Sequence, residues 1–301
     1  MKVFKYAIFS LLMVIIGCSQ SGQEKKIELI GHRGATGLVP ENTIPGFKKA
    51  LEYNVDAIEL DVVISGDDQV VVSHEPWFRH DICLTPEGDS ISVDSQKDYL
   101  IYKMDYDQIA KYDCGSLQRP GYPNQENKPL AKPLLTEVIR EIETHITEND
   151  LEPVGYKIEI KSKSSWYSND EIQPSPDQTV KMVHKVLLKE GITDRVNILA
   201  FNAQVLNEYE QIDASIPRVY LMPKRKKVLD ENLSELNSLP DVYAPNYTLV
   251  DSNLVEQVHK KGMRLIPWTV NNYKDMVKLV NLGVDGIISD YPNYFEKLRA
   301  E

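Results

Sequence analysis

Cysteine is scarce in this chain of 301 residues, three in all, and cations are outnumbered, 34 Lys and Arg standing against 45 Asp and Glu for a formal charge of −11. Three cysteines cannot staple a chain of this length, so a disulfide-built scaffold is excluded. The acidic balance supplies no broad positive field to draw in polymeric DNA or RNA by counterion release, so no nucleic-acid partner is expected. After residue 16 no apolar run is long enough to span a bilayer. Gly31, Gly34 and Gly37 are spaced by threes and make no dinucleotide fingerprint. No paired Cys or His motif signals a structural zinc site. What is present is 42% apolar residues, ordinary for a globular protein and enough for a full core in one large domain or two small ones.

The first residues carry Lys2 and Lys5, an apolar run over 7–16, then Gly17-Cys18. That is the layout of a secretory signal, too short for a mature spanning helix. Ile15-Ile16-Gly17-Cys18 resembles a bacterial lipoprotein box, which implies cleavage before Cys18 and lipidation of Cys18. The expected division is a signal peptide over 1–17, a polar tether over 18–26 and one folded domain over 27–301, held by acyl chains at a bacterial envelope membrane outside the cytoplasm. In that compartment Cys83 and Cys114 are permitted to pair.

Short β-branched runs then alternate with longer amphipathic stretches, the pattern of a βα array around a parallel sheet. Strands are expected at 27–30, 57–64, 157–160, 197–200, 218–221, 242–244, 264–268 and 286–289. Helices are expected at 44–53, 135–146, 177–189, 203–211, 229–236, 252–260, 273–281 and 293–299. Eight such pairs fit an α/β fold of the (β/α)8 TIM-barrel type better than an open doubly wound sheet. One segment breaks the alternation. Ser65-Gly66-Asp67-Asp68 is a turn sequence followed directly by Val70-Val71-Val72, which reads as a hairpin. The polar, weakly periodic stretch 75–133 is too long for a plain loop and is expected as an insertion after the second strand and its hairpin, at the barrel's mouth.

Barrel enzymes place their chemistry at the C-terminal ends of the strands. The first strand ends in Gly31-His32-Arg33-Gly34, which sets an imidazole and a guanidinium near a site where backbone can approach a small anion. In the second, Glu59-Leu60-Asp61 puts both carboxylates on one face, and an inward carboxylate pair is costly without a cation. A hairpin turn centred between Asp67 and Asp68 sets His74 opposite Asp61. The third strand aligns Lys157, Glu159 and Lys161 on one face. Three carboxylates suit a hard, oxygen-preferring divalent cation, Ca²⁺ or Mg²⁺, with Ca²⁺ placed first. With Arg33 and Lys161 on a phosphate and two imidazoles exchanging protons, the residues describe a metal-assisted phosphoryl-transfer site.

His32-Arg33-Gly34, Pro40-Glu41-Asn42-Thr43, Glu59-Leu60-Asp61-Val62, Val72-Ser73-His74, Glu159-Ile160-Lys161, Trp268-Thr269-Val270-Asn271 and Gly283-Val284-Asp285-Gly286-Ile287-Ile288-Ser289-Asp290-Tyr291-Pro292 resemble the ordered motifs of the glycerophosphodiester phosphodiesterases. The resemblance runs from about residue 28 to 298. It implies a (β/α)8 barrel and hydrolysis of a small-molecule glycerophosphodiester to glycerol 3-phosphate and an alcohol, assisted by a divalent cation. It further implies His32 and His74 as the general acid and base, Glu59, Asp61 and Glu159 as metal ligands, and Arg33 and Lys161 on phosphate oxygens. In the family picture the free glycerol hydroxyl attacks phosphorus through a cyclic phosphate that water then opens. Glu41 is expected to orient His32 or Arg33 or to approach the metal, Trp268 to wall the glycerol moiety, and Phe201 to stack on the substrate. Ala200 stands where the family has a serine, which removes a hydroxyl there. Asp290 and Pro292 are expected to close the barrel structurally, and His80, His145, His184 and His259 to sit on the surface or in the framework. Lys224-Arg225-Lys226-Lys227 reads as a solvated charge run or as an attractor of polyanionic headgroups. Two rivals stay open: a related barrel phosphodiesterase acting on lysophospholipids or a wall phosphodiester polymer, and a non-catalytic phosphodiester-binding lipoprotein. Oligomeric state is not encoded in any readable pattern.

Overall fold

Ala57–Ile64 reads AIELDVVI with all eight residues buried, as a strand covered on both faces by the rest of the chain must be. The computed structural model describes residues 26–168, 172–224 and 228–300. The signal segment, Cys18 and nearly all of the tether lie outside the described residues, as do three of the four residues of the basic run at 224–227. Among the described residues no helix is long and apolar enough to cross a membrane.

The chain opens with β1 (Glu28–Gly31), α1 (Ile44–Leu51), β2 (Ala57–Ile64) and β3 (Val70–Val72), and the inserted stretch carries the short α2 (Tyr106–Ile109). There follow α3 (Leu135–Glu148), β4 (Gly155–Ile160), α4 (Ser164–Tyr167), α5 (Pro176–Glu190), β5 (Val196–Ala200), α6 (Ala203–Ile212), β6 (Arg218–Met222) and α7 (Leu229–Leu233). The chain finishes with β7 (Val242–Pro245), α8 (Ser252–Lys260), β8 (Arg264–Leu265), α9 (Tyr273–Asn281), β9 (Gly286–Ser289) and α10 (Phe295–Arg299). Eight parallel strands in the order β8-β7-β6-β5-β4-β2-β1-β9 form a nearly closed barrel, as expected. Main-chain bonds cross the remaining seam: Asp285 N–H donates to Leu265 O at 2.8 Å, and Ile288 N–H to Pro267 O at 3.1 Å.

Period two sorts each strand. Leu29, Ile58, Leu60 and Ile158 join the large apolar layer under the helices, while Ile30, Leu199, Leu221, Ala244 and Ile288 form a separate cluster inside the barrel. Helix starts are set by side chains that accept otherwise orphaned amide protons: Thr43 for α1, Asn202 for α6, Asp251 for α8 and Asn272 for α9.

Two local expectations are corrected. The hairpin pairs Val62 with Val72 and Ile64 with Val70, so its centre is Asp67 and not the bond after it. Asp68, at φ 60°, takes the left-handed position of a three-residue loop, and Ser65 N–H reaches Gln69 O at 3.0 Å. His74 is therefore not opposite Asp61; instead Ser73 N–H donates to Asp61 O at 2.9 Å. The strand expected at 264–268 is laddered only over Arg264–Leu265, because Pro267 has no N–H to offer, and Trp268 rejoins as a single parallel bridge to Asn246.

The insertion builds a core of its own. Phe78, Ile82, Ile91, Ile101, Ile109 and Tyr112 pack with Val63 and Val71 of the hairpin, and Cys83 is bonded to Cys114 across 31 residues. Gln125 then donates to Thr36 O at 2.7 Å, tying the insertion to the loop after β1. Closing a loop of that length restricts the unfolded chain by about 3–4 kcal/mol in the chain-entropy picture. Replacing both cysteines by serine is expected to lower the unfolding free energy by about 2–4 kcal/mol in denaturant titration under oxidising conditions. An unchanged midpoint contradicts a supporting role for the bridge.

Candidate active site

β1 ends at Gly31, and the next three residues turn sharply, with Arg33 at φ 51° and Gly34 at φ 88°. A Cβ on Gly34 would lie 2.6 Å from the carbonyl carbon of Gly46, so only glycine lets this loop sit against the start of α1. The turn aims Arg33 at the site. Its N–H donates to Glu59 Oε2 at 2.8 Å, its Nη1 to Glu41 Oε1 at 3.0 Å, and its Nε lies 3.2 Å from Asp61 Oδ2.

The register of β2 on β4 sets Asp61 beside Glu159. Glu59, Asp61 and Glu159, exposed by 2%, 0% and 6%, each offer an oxygen, and these oxygens lie within 4.8 Å of one another. Lys161 donates to Glu159 Oε1 at 2.6 Å and stands 3.5 Å from Asp61 Oδ1. Asn42 closes the other side, donating to Asp61 Oδ2 at 2.8 Å and accepting from Asp61 N–H at 3.1 Å. Asp61 Oδ1 is buried with no hydrogen-bond partner. An orphaned carboxylate oxygen among three buried acids fits a hard divalent cation, and the acidic triad could hold one.

The charge balance is visible in the acids. Burial, then the Asp61 and Glu159 carboxylates, push Glu59 well above the ordinary carboxylate range. Burial pushes Glu159 up to about 7, with Lys161 opposing and Asp61 adding to it. Burial also acts upward on Asp61, but Arg33, His74, Lys161 and the Asn42 hydrogen bond outweigh it and hold Asp61 well below its usual value. Glu41 is held low in the same way, burial being overcome by Arg33 and Arg119.

Two histidines border the acids. His32 Nδ1 meets Asp290 Oδ1 at 2.6 Å, and its Nε2 lies 3.9 Å from Glu59 Oε2. His74 Nδ1 pairs with Glu75; burial, then Arg33, push His74 below its ordinary value while Asp61 and Glu75 oppose them. His32, Arg33, Glu59, His74 and Glu159 line a cavity of about 70 Å³ whose remaining wall includes Phe201, Trp268 and Thr269. Phe201 and Trp268 meet edge to face at 5.3 Å, and Trp268 Nε1 donates to Ala244 O at 2.8 Å.

All ten residues singled out at the strand ends and loops lie at or beside this cavity, with Glu41 one layer back: it pairs with Arg33, Arg119 and Arg79 and is not among the clustered carboxylates. Asp290 ties the end of β9 into the framework, as expected of it, through Gly37 N–H and Asn271, and it also meets His32. It accepts from Tyr122 Oη at 2.9 Å and from Asn271 as well as pairing with His32; burial pulls its carboxyl up, but His32, the Asn271 hydrogen bond and Arg33 outweigh it and hold the carboxyl low. Arg79, Arg119 and Tyr122 come from the insertion, where weak periodicity gave no signal. Asn42, Asn271 and Asp290 sit inside quoted motifs, and an inward amide or carboxylate beside a catalytic-type histidine was the available clue.

The sequence model of the glycerophosphoryl diester phosphodiesterase family matches residues 32–294. A glycerophosphodiester phosphodiesterase of Bacillus subtilis (strain 168) is 28% identical over 306 residues, covering 99% of this chain and 96% of the relative. A solved structure from Silicibacter pomeroyi DSS-3, provisionally described as a glycerophosphoryl diester phosphodiesterase, superposes with TM-score 0.79 at 25% identity over 90% of this chain and 92% of that one. An Oleispira antarctica phosphodiesterase, solved in complex with the product sn-glycerol-3-phosphate, matches in fold with TM-score 0.71 at 23% identity over 91% of this chain and 97% of that one.

The raised carboxyls make a stability prediction. A folded value above the unfolded one gives stability that is present below the unfolded pKa, about 4.3 for Glu, and lost as pH rises through the folded value. For Glu159 that loss runs up to about 7. Asp61 and Glu41, held low, lose their contributions only at pH below this window. Metal-stripped protein is therefore expected to lose thermal stability from about pH 5 to about pH 8, and a divalent cation to restore more at the upper end, where its ligands are ionised. Calorimetry with and without chelator checks this; a Tm indifferent to both pH and cation contradicts it.

Proposed function

The chain belongs to the glycerophosphoryl diester phosphodiesterase family, and we propose that this site cleaves a glycerophosphodiester to glycerol 3-phosphate and an alcohol with His32 and His74 exchanging the protons. The observation that carries the reading is the convergence of two imidazoles, three buried carboxylates, Arg33 and Lys161 on one cavity. Glu59, Asp61 and Glu159 are the residues that would hold a divalent cation, Ca²⁺ ahead of Mg²⁺, since Ca²⁺ tolerates an irregular oxygen shell. Bound there, such a cation would offset the negative charge that develops on phosphate.

The chain's own groups divide the remaining work. Arg33 has five N–H donors, and Nη1 and Nε are turned to Glu41 and Asp61, which fixes the plane of the guanidinium and leaves the others for phosphate oxygens. Asp290, held ionised, accepts the Nδ1 proton of His32 and so leaves Nε2 as the acceptor facing Glu59 and the cavity. His32 thus removes the proton from the attacking glycerol hydroxyl. His74, which also borders the wider groove beside the cavity, gives a proton to the departing alcohol as its bond to phosphorus breaks; water then opens the resulting cyclic phosphate, giving its proton to His74 while His32 returns one to the glycerol oxygen. Trp268 and Phe201 wall the glycerol side.

Secretion and lipidation at Cys18 belong to the same reading. The Cys83–Cys114 bond supports it, because such bonds persist in oxidising compartments. The acyl mass on the N-terminal peptide of membrane-extracted protein tests it.

Release of glycerol 3-phosphate from glycerophosphodiesters, assayed with added Ca²⁺, Mg²⁺ or chelator, tests the activity. Release is expected to require a divalent cation and to fall by about 10²-fold or more in His32→Ala and in His74→Ala. If His74 acts protonated, activity declines as pH rises through its value, which lies below that of a free imidazole. Glu75 raises that value, so Glu75→Gln is expected to move the alkaline limb to lower pH. Cation-independent release, or an alkaline limb unmoved by Glu75→Gln, contradicts these assignments.

A further inference from the structure

A groove of about 610 Å³ opens beside the catalytic cavity and shares His74, Glu159, Phe201 and Trp268 with it. The cavity itself ends on Leu199, Leu221 and Ile288 in the barrel interior, which leaves space for a unit of glycerol size and no more. The other half of a diester has to lie in the groove, past His74.

The groove has a definite chemistry. Two of its four aromatic rings carry lysines: Lys163 Nζ stands 4.7 Å from the ring centre of Trp166, and Lys161 Nζ 5.7 Å from that of Phe201. Trp77 of the insertion meets Trp166 edge-on at 5.9 Å and carries Lys97 at 5.5 Å. Lys161 is committed to Glu159 and Asp61, whereas Lys163 and Lys97 have no carboxylate partner among the described residues. A quaternary ammonium group is recognised by open aromatic faces. Here Trp166 and Phe201 carry ammonium groups, which repel a second cation and attract an anion, while Glu235, which also lines the groove, accepts from Tyr220 Oη at 3.1 Å. Ser162 also lines the groove, and its Oγ accepts from Asn202 Nδ2 at 3.2 Å, which leaves the hydroxyl proton for a ligand oxygen.

Resting on the hydrolase reading above, we propose that this groove is the subsite for the departing alcohol, that it selects alcohols bearing hydroxyls and negative charge, such as a polyol phosphate, over choline-type cations, and that Lys163 sets this preference. The side chain touches the leaving group and not the reacting phosphorus, so its effect falls on the choice between substrates.

The test compares kcat/KM for glycerophosphoinositol phosphate and glycerophosphocholine in the full chain and in Lys163→Glu. The wild type is expected to favour the anionic leaving group by about fivefold or more, and reversal of the charge to lower the anionic substrate while raising the choline substrate, moving the ratio by about tenfold. Opposite changes in one protein cannot come from a loss of folded enzyme. A wild type that prefers choline, or a variant in which both substrates change by the same factor, overturns the proposal. Absence of turnover of either substrate with any divalent cation strikes instead at the hydrolase reading.

Discussion

Three carboxylates held out of water at one end of a barrel are the constraint around which this structure is arranged. Removing one ionised carboxylate from water costs several kcal/mol even after relaxation, and neighbouring acids add repulsion. Glu59, Asp61 and Glu159 face two cations, Arg33 and Lys161, so the balance is short by one positive charge. The consequence is uneven: Asp61, gripped by both cations and by Asn42, stays ionised, while Glu59 and Glu159 are driven up. A barrel that kept these acids without a ligand would be less stable near neutrality than one with apolar residues there. Their retention makes sense as a site completed by a cation.

The insertion answers a second imbalance. Arg33 is shared between Asp61 and Glu41, and Glu41 would compete for it if nothing else met its charge. Arg119 and Arg79 of the insertion meet it instead. The same segment supplies Tyr122 to Asp290, which in turn holds His32. Its own small core and the Cys83–Cys114 bond give these side chains a firm base. The insertion therefore works as part of the site's framework, and its Trp77 meets Trp166, a residue that lines the groove.

Much of this was legible in the sequence where a local rule acts alone. Period two placed Glu59 and Asp61 inward, and the parallel register then put Asp61 beside Glu159. The helices at Ser252–Lys260 and Tyr273–Asn281 appear where expected because Asp251 and Asn272 cap them. Legibility failed where a choice is made in three dimensions. Asp67 and Asp68 look alike to a turn rule, and only the left-handed Asp68 decides that the loop has three residues. His32 and Asp290 are 258 positions apart, and their pairing depends on β1 lying against β9. Arg119 and Tyr122 lie in a stretch whose conformation follows from its disulfide and from packing on Val63 and Val71. No periodicity carries that information.

The account turns on one cation completing the acidic triad, and a crystal structure of the protein grown with Mn²⁺, read at the metal's anomalous edge, tests this most directly. The account predicts a single strong peak within about 2.6 Å of one oxygen from each of Glu59, Asp61 and Glu159. A triad without a peak at saturating metal, or a peak held by other residues, would contradict it.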